Sequence, residues 1–148
     1  MKDLKKTAKK RTPKNKTYKK KTETYKLKVV NTFIEMINLV KLYHWKTKSY
    51  AKHQATDELF EKLNKHTDQF VEVLIGKDEK RIKKMNKCIN VLQAENDKEF
   101  KSKVYKFREF LTNMNDYFHA KKDSDLLSIR DEILADINQF LYLMTFDK

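Results

Sequence analysis

Apolar residues recur along this chain at spacings of three and four, the period of a helix with one face turned to a core. Four such segments stand out. The first runs from about Thr24 to Lys46, where Val30, Phe33, Ile34, Ile37 and Val40 lead to His44. The second runs from about Thr56 to Ile75 on Leu59, Phe60, Leu63, Phe70, Val71 and Leu74, with Gly76 placed to end it. The third, Asp97 to about His119, carries Phe100, Val104, Phe107, Leu111, Met114 and Phe118 in an unbroken alternation of four and three. The fourth, Ser124 to Phe146, sets Leu127, Leu134, Ile137, Leu141 and Met144 on one face, widened by Ile133 and Phe140. Asp123 or Ser124 is its expected N-cap.

Each predicted helix has a single wide apolar stripe to cover, and four of them cover one another as a bundle. Short joins after the first and third helices predict antiparallel hairpins. The longer stretch from Lys77 to Asn96 is long enough to travel the length of a bundle, with room for a short helix around Ile82 to Leu92. Two hairpins and one long crossover are the ferritin-like connectivity, so the expected fold is an all-α, ferritin-like four-helix bundle over residues 24–148.

Composition changes the picture at the N-terminus. Residues 1–28 hold 12 Lys and one Arg against Asp3 and Glu23, a net +11 of the chain's +13. With Pro13 and few aliphatics, residues 1–23 are expected to stay a disordered basic arm, because they bury too little to offset their ordering entropy. One Gly and one Pro in 148 residues argue against an all-β protein of tight turns. The lone Cys88 cannot close an intrachain disulfide, which points to a reducing compartment. No apolar run approaches the roughly 20 residues needed to cross a bilayer, and no apolar stretch follows the N-terminal charge as a secretory signal requires. A membrane partner is not expected.

Candidate chemistry lies in residues four apart. His53 and Asp57 form one pair and Asp68 and Glu72 another, each one turn apart on a helical face, with His44 closing the first helix. Imidazole plus carboxylate ligation suits iron, with zinc or manganese as other occupants. Along a helix, His53 and Asp68 stand about 22 Å apart at 1.5 Å per residue. They can share an ion only if the His end of one chain meets the acidic end of a two-fold partner.

The run Leu42-Tyr43-His44-Trp45, then His53-x3-Asp57, Asp68-x3-Glu72 and Val73-Leu74-Ile75-Gly76, resembles the Dps-type mini-ferritins, the DNA-binding proteins from starved cells. The likeness covers residues 27–76 closely and 100–146 in pattern, including Leu126 to Ile133. It implies a hollow dodecamer built from two-fold dimers. His44, His53 and Asp57 would come from one subunit and Asp68 and Glu72 from its mate. Their implied role is ligand and catalytic site for oxidising ferrous iron with peroxide or oxygen, storing the ferric product and protecting against oxidative stress. The arm, through Lys5, Lys6, Lys9, Lys10, Arg11, Lys14, Lys16, Lys19, Lys20 and Lys21, resembles arms that bind double-stranded DNA without sequence preference. The implied location is cytoplasm or nucleoid, or a virion or viral factory if the source is a large DNA virus. One departure is that His44 and His53 are nine positions apart, fewer than is usual. The intervening Lys46, Lys48 and Lys52 place positive charge near the cation site.

Two other readings stand beside this one. A non-enzymatic packaging protein would keep the shell and condense nucleic acid with the arm. A helical interaction module would form no shell. Trp45 is expected to pack, His66 and His119 have no partner at ligand spacing, and Cys88 is expected to be a bystander.

Overall fold

The structure is a computed structural model that describes the backbone of residues 13–82 and 93–146, and side chains from residue 23 onward. The described residues form four α-helices: α1 Pro13–Lys46, α2 Tyr50–Asp78, α3 Asp97–Thr112 and α4 Ser124–Leu143. A 3-10 turn, Asn113–Asp116, extends α3. The protein is all-α over these residues, as the periodicity predicts.

Contacts between named residues fix the directions. Lys26 in the first half of α1 pairs with Asp78 at the end of α2, while His44 at the end of α1 meets His53 near the start of α2, so α1 and α2 are antiparallel. Lys62 meets Gln139, His66 meets Asp136 and Lys77 meets Asp125, so α2 and α4 are antiparallel. Tyr43 stacks on Phe100 and Tyr25 faces Phe110, making α1 and α3 antiparallel as well. Lys101 donating to the Met144 carbonyl and Arg108 to Asn138 complete the set for α3 and α4. Each helix therefore lies antiparallel to two neighbours, and α2 is parallel to α3. Residues 79–96 join opposite ends of the bundle. The short helix expected around Ile82 to Leu92 falls almost wholly outside the described residues, as does Cys88.

Several boundaries differ from expectation for local reasons. α1 starts at Pro13 rather than Thr24, so residues 13–22 of the expected arm are helical; residues 1–12 lie outside the described residues. Pro suits the first helical turn and Lys is a good helix former. α2 starts six residues early because Ser49, in extended backbone, accepts from the Lys52 N–H as its N-cap. It also passes Gly76, which keeps negative φ. The left-handed cap is Glu79, φ 52°, whose N–H returns to the Gly76 carbonyl. α3 tightens into the 3-10 turn at Asn113, where Arg130 of α4 donates to the Leu111 carbonyl and to the Asn115 side chain. Asp123 occupies the N-cap position of α4 but makes no side-chain cap bond, because its carboxylate accepts from the His119 N–H at 2.8 Å.

The core is built from Val29, Phe33, Met36, Leu39 and Val40 of α1, Leu59, Leu63, Phe70 and Leu74 of α2, and the full α3 stripe through Met114. In α4 the buried face centres on Leu126, Ile129, Ile133, Ile137 and Phe140. That rotates the expected face, leaving Leu127 and Leu134 half-buried. α1 is rotated likewise, so Val30, Ile34 and Ile37 are only half-buried, as are Phe60 and Val71 on α2. Of these, Ile37, Phe60, Val71 and Leu134 still pack against the edge of the core.

Candidate metal centre

The α1–α2 turn is only Thr47–Ser49, and that tightness puts His44 in the last turn of α1 against His53 in the first turn of α2. Their rings stack with centroids 3.9 Å apart and planes 25° from parallel. His44 Nδ1 donates to the His53 carbonyl at 3.1 Å, and His53 Nδ1 donates to the His44 carbonyl at 3.2 Å. A carbonyl oxygen only accepts, so each Nδ1 carries a proton, and in the neutral ring the lone pair is on Nε2. The His44 carbonyl is one of the orphan acceptors at the end of α1, so the clasp also caps that helix.

Asp57 lies one turn beyond His53, with its carboxylate oxygen 3.7 Å from His44 Nε2 and half its side chain exposed. Imidazole held through Nδ1 on a backbone carbonyl, with Nε2 presented beside a carboxylate, is the donor set a divalent metal takes. Of the five expected ligands, the turn thus sets His44 against both the His53 ring and the Asp57 carboxylate. Asp68 and Glu72 are exposed farther along the same unbroken α2, about 16 Å from Asp57 to Asp68 at 1.5 Å per residue. Among the described residues, no group of three or more His, Cys, Asp or Glu is complete enough within one chain to hold a metal ion.

The charge around the cluster differs from the expected arrangement. Lys46 donates to the Ala94 carbonyl and Lys52 pairs with Asp97, so both lean away toward the start of α3. The cation that faces the cluster is Lys41, one turn before His44. Its Nζ stands 3.9 Å from Asp57 Oδ1 and 4.4 Å above the Phe60 ring. Trp45, expected to pack, is instead 69 % exposed, with the same ammonium 5.8 Å from its ring. Lys41 sits at helical spacing from His44 and was legible as a neighbour in the sequence, although its partner on α2 was not.

Tyr43 and Asp97 meet beside the α1–α2 turn. The Tyr43 hydroxyl donates to Asp97 Oδ1 at 2.5 Å, and burial, then that carboxylate, pushes the phenol well above its ordinary range. The Lys52 and Tyr43 hydrogen bonds hold Asp97 below the usual carboxylate range. Two further polar contacts were missed. Thr56, fully buried, approaches His44 Nδ1 at 3.3 Å. His66, given no role by spacing, bonds Asp136 across the α2–α4 seam at 2.6 Å. His119 accepts the backbone N–H groups of Lys121 and Lys122 and so serves the turn before α4.

Fold and site together define an all-helical protein that presents an imidazole–carboxylate cluster at one end of a helical hairpin. A family model matches residues 44–144, and the chain belongs to that family, described as a family of unknown function (DUF5856). The matched stretch contains the whole candidate ligand set. No curated protein matches the chain, and no solved structure does. Among the described residues no helix is long and apolar enough to cross a membrane.

Proposed function

We propose that this chain is a ferritin-like, Dps-type subunit that binds and oxidises ferrous iron at sites shared between two-fold partners. The observation that carries the reading is the reciprocal clasp of His44 and His53, which leaves His44 Nε2 3.7 Å from an Asp57 carboxylate oxygen. The helix order also supports it, since one long connection between parallel helices is the ferritin-like arrangement.

Pairing is supported by the α2 helix itself. Asp57 and Asp68 are eleven residues apart, about 20° from the same line along a helix at 100° per residue. A single antiparallel register centred between Lys62 and Leu63 sets His53 opposite Glu72 and Asp57 opposite Asp68 at once. The half-buried Val30, Ile34, Ile37, Phe60 and Val71 supply apolar area for such a partner. Iron is the substrate: two ferrous ions give one electron each, and peroxide with two protons becomes two waters, so no hydroxyl radical leaves. The ligand set would be His44, His53 and Asp57 of one copy with Asp68 and Glu72 of the other. Twelve copies would close a shell that stores the ferric product.

The basic N-terminal segment, with a net +11 over residues 1–28, adds salt-dependent binding of double-stranded DNA. Repetition on one particle multiplies the effect by avidity.

The test is stoichiometric ferrous oxidation by peroxide, with particle mass measured on the same sample. Asp68→Ala with Glu72→Ala should abolish fast oxidation and leave the mass unchanged. Equal rates in parent and variant would remove the oxidase reading. Lys41, whose ammonium already faces Asp57, favours a second reading in which the shell condenses nucleic acid without chemistry. Under it, DNA retardation survives the double variant and disappears on deleting residues 1–22.

A further inference from the structure

We propose that Thr56 is a positioning residue that holds the His44 ring with Nε2 facing the metal position. This deepens the metal reading and rests on it for its functional meaning, but its structural content stands apart. Thr56 is fully buried on α2, three residues after His53 and one before Asp57. Its hydroxyl has one proton and two carbonyls to receive it, Lys52 at 2.7 Å and His53 at 3.0 Å. Once that proton is given to either carbonyl, the Thr56 oxygen can only accept from His44 Nδ1, 3.3 Å away.

The His53 carbonyl already receives His44 Nδ1 at 3.1 Å. Alone, one acceptor fixes the ring's tautomer but leaves its plane free to tilt about that contact. Two acceptors on the same nitrogen, one from backbone and one from a buried side chain, fix both. Among the described residues His53 has no such second partner, its Nδ1 resting on the His44 carbonyl. The two imidazoles are therefore held unequally, and His44 is the rigid ligand of the pair. Among apolar residues of similar shape, Val at position 56 would preserve packing and remove only the oxygen.

The experiment compares the full-length parent, Thr56→Val and Thr56→Ser, all free of metal, by long-range proton–nitrogen spectra of the histidine rings at a pH where they are neutral. In the parent and Thr56→Ser, His44 is expected as a single species protonated on Nδ1. Thr56→Val should keep the Nδ1-protonated tautomer but show exchange broadening at His44 as its ring tilts, with His53 much less changed. Zinc binding, measured with a competing chelator, should weaken about tenfold in Thr56→Val and recover in Thr56→Ser, in line with substitutions behind a ligating histidine. Unchanged His44 signals in Thr56→Val, in a protein with the parent's thermal transition, overturn the proposal. Altered signals with no zinc binding by any of the three proteins keep the positioning role and sink the metal reading instead.

Discussion

Lys41 Nζ lies 3.9 Å from Asp57 Oδ1, on the side of the carboxylate that a metal held by His44 would also approach. The ammonium is poised over Phe60 at 4.4 Å, so it is held by a ring face as well as by charge. A divalent ion arriving at Asp57 meets a cation already there. Lys41→Met should therefore tighten zinc binding about two- to five-fold, the range an ion pair of up to ~1 kcal/mol allows at a half-exposed carboxylate. A competition titration reads this directly, and weaker binding in the variant would contradict the arrangement.

The His66–Asp136 contact joins the middle of α2 to α4, with both side chains largely covered. A hydrogen bond to a carboxylate in such a seam contributes about 2 kcal/mol, and cutting it leaves Asp136 short of a partner. His66→Leu should lower unfolding stability by about 2 kcal/mol in urea titrations and leave zinc affinity as in the parent. Equal stability would show the seam to be held by Leu63, Phe70 and their neighbours alone.

Arg130 is buried to 6 % exposure and ends α3 from a distance. Its guanidinium donates to the Leu111 carbonyl at 2.8 Å, to Asn115 at 3.0 Å and to Asp131 at 2.7 Å. Arg130→Met keeps much of the volume but removes the side-chain donor from the Leu111 carbonyl, which keeps only the shared Asn113 N–H, and leaves Asn115 without its guanidinium partner, at a cost of about 2 kcal/mol. Arg130→Lys should rescue little, because a point charge cannot reach three acceptors in a plane. Denaturant midpoints of the two variants decide the matter.

Acid sensitivity follows from Asp97. Its carboxyl is held below the usual range, first by the Lys52 hydrogen bond and then by Tyr43. A depressed carboxylate contributes stability that is present above its unfolded-state range and is lost as pH falls through the folded value. The parent should thus lose stability on acidification below the ordinary carboxylate range, and Asp97→Asn should show a shallower loss over the same interval. Identical pH profiles would mean that the half-exposed Asp97 is screened by solvent.

Much of the helical content was legible because a period of 3.6 repeats wherever one face is buried. The stripe of α3 is the clearest case: each residue from Phe100 to Met114 on the predicted face is buried. The buried faces of α1 and α4 lie one step round the helix from the predicted ones. Val30, Ile34 and Ile37 are as apolar as Val29, Phe33 and Met36, and hydrophobicity by itself cannot rank two adjacent apolar faces. The neighbours α2 and α3 rank them. Helix starts were misplaced where a single capping hydroxyl, that of Ser49, outweighed the absence of apolar residues in the first turn.

At the site, the sequence by itself determined which chemistry is available and how far apart its halves lie. Residues four apart must share a helix face, and fifteen residues of unbroken helix must separate His53 from Asp68. Only the tertiary structure decided that His44 and His53 stack and exchange Nδ1 bonds, since a three-residue turn can carry two rings toward or away from each other. It also decided that Lys41, Thr56 and Asp136 are partners at all. Those contacts join residues on different helices, and helix period records the direction of a side chain from its own axis but not what stands opposite.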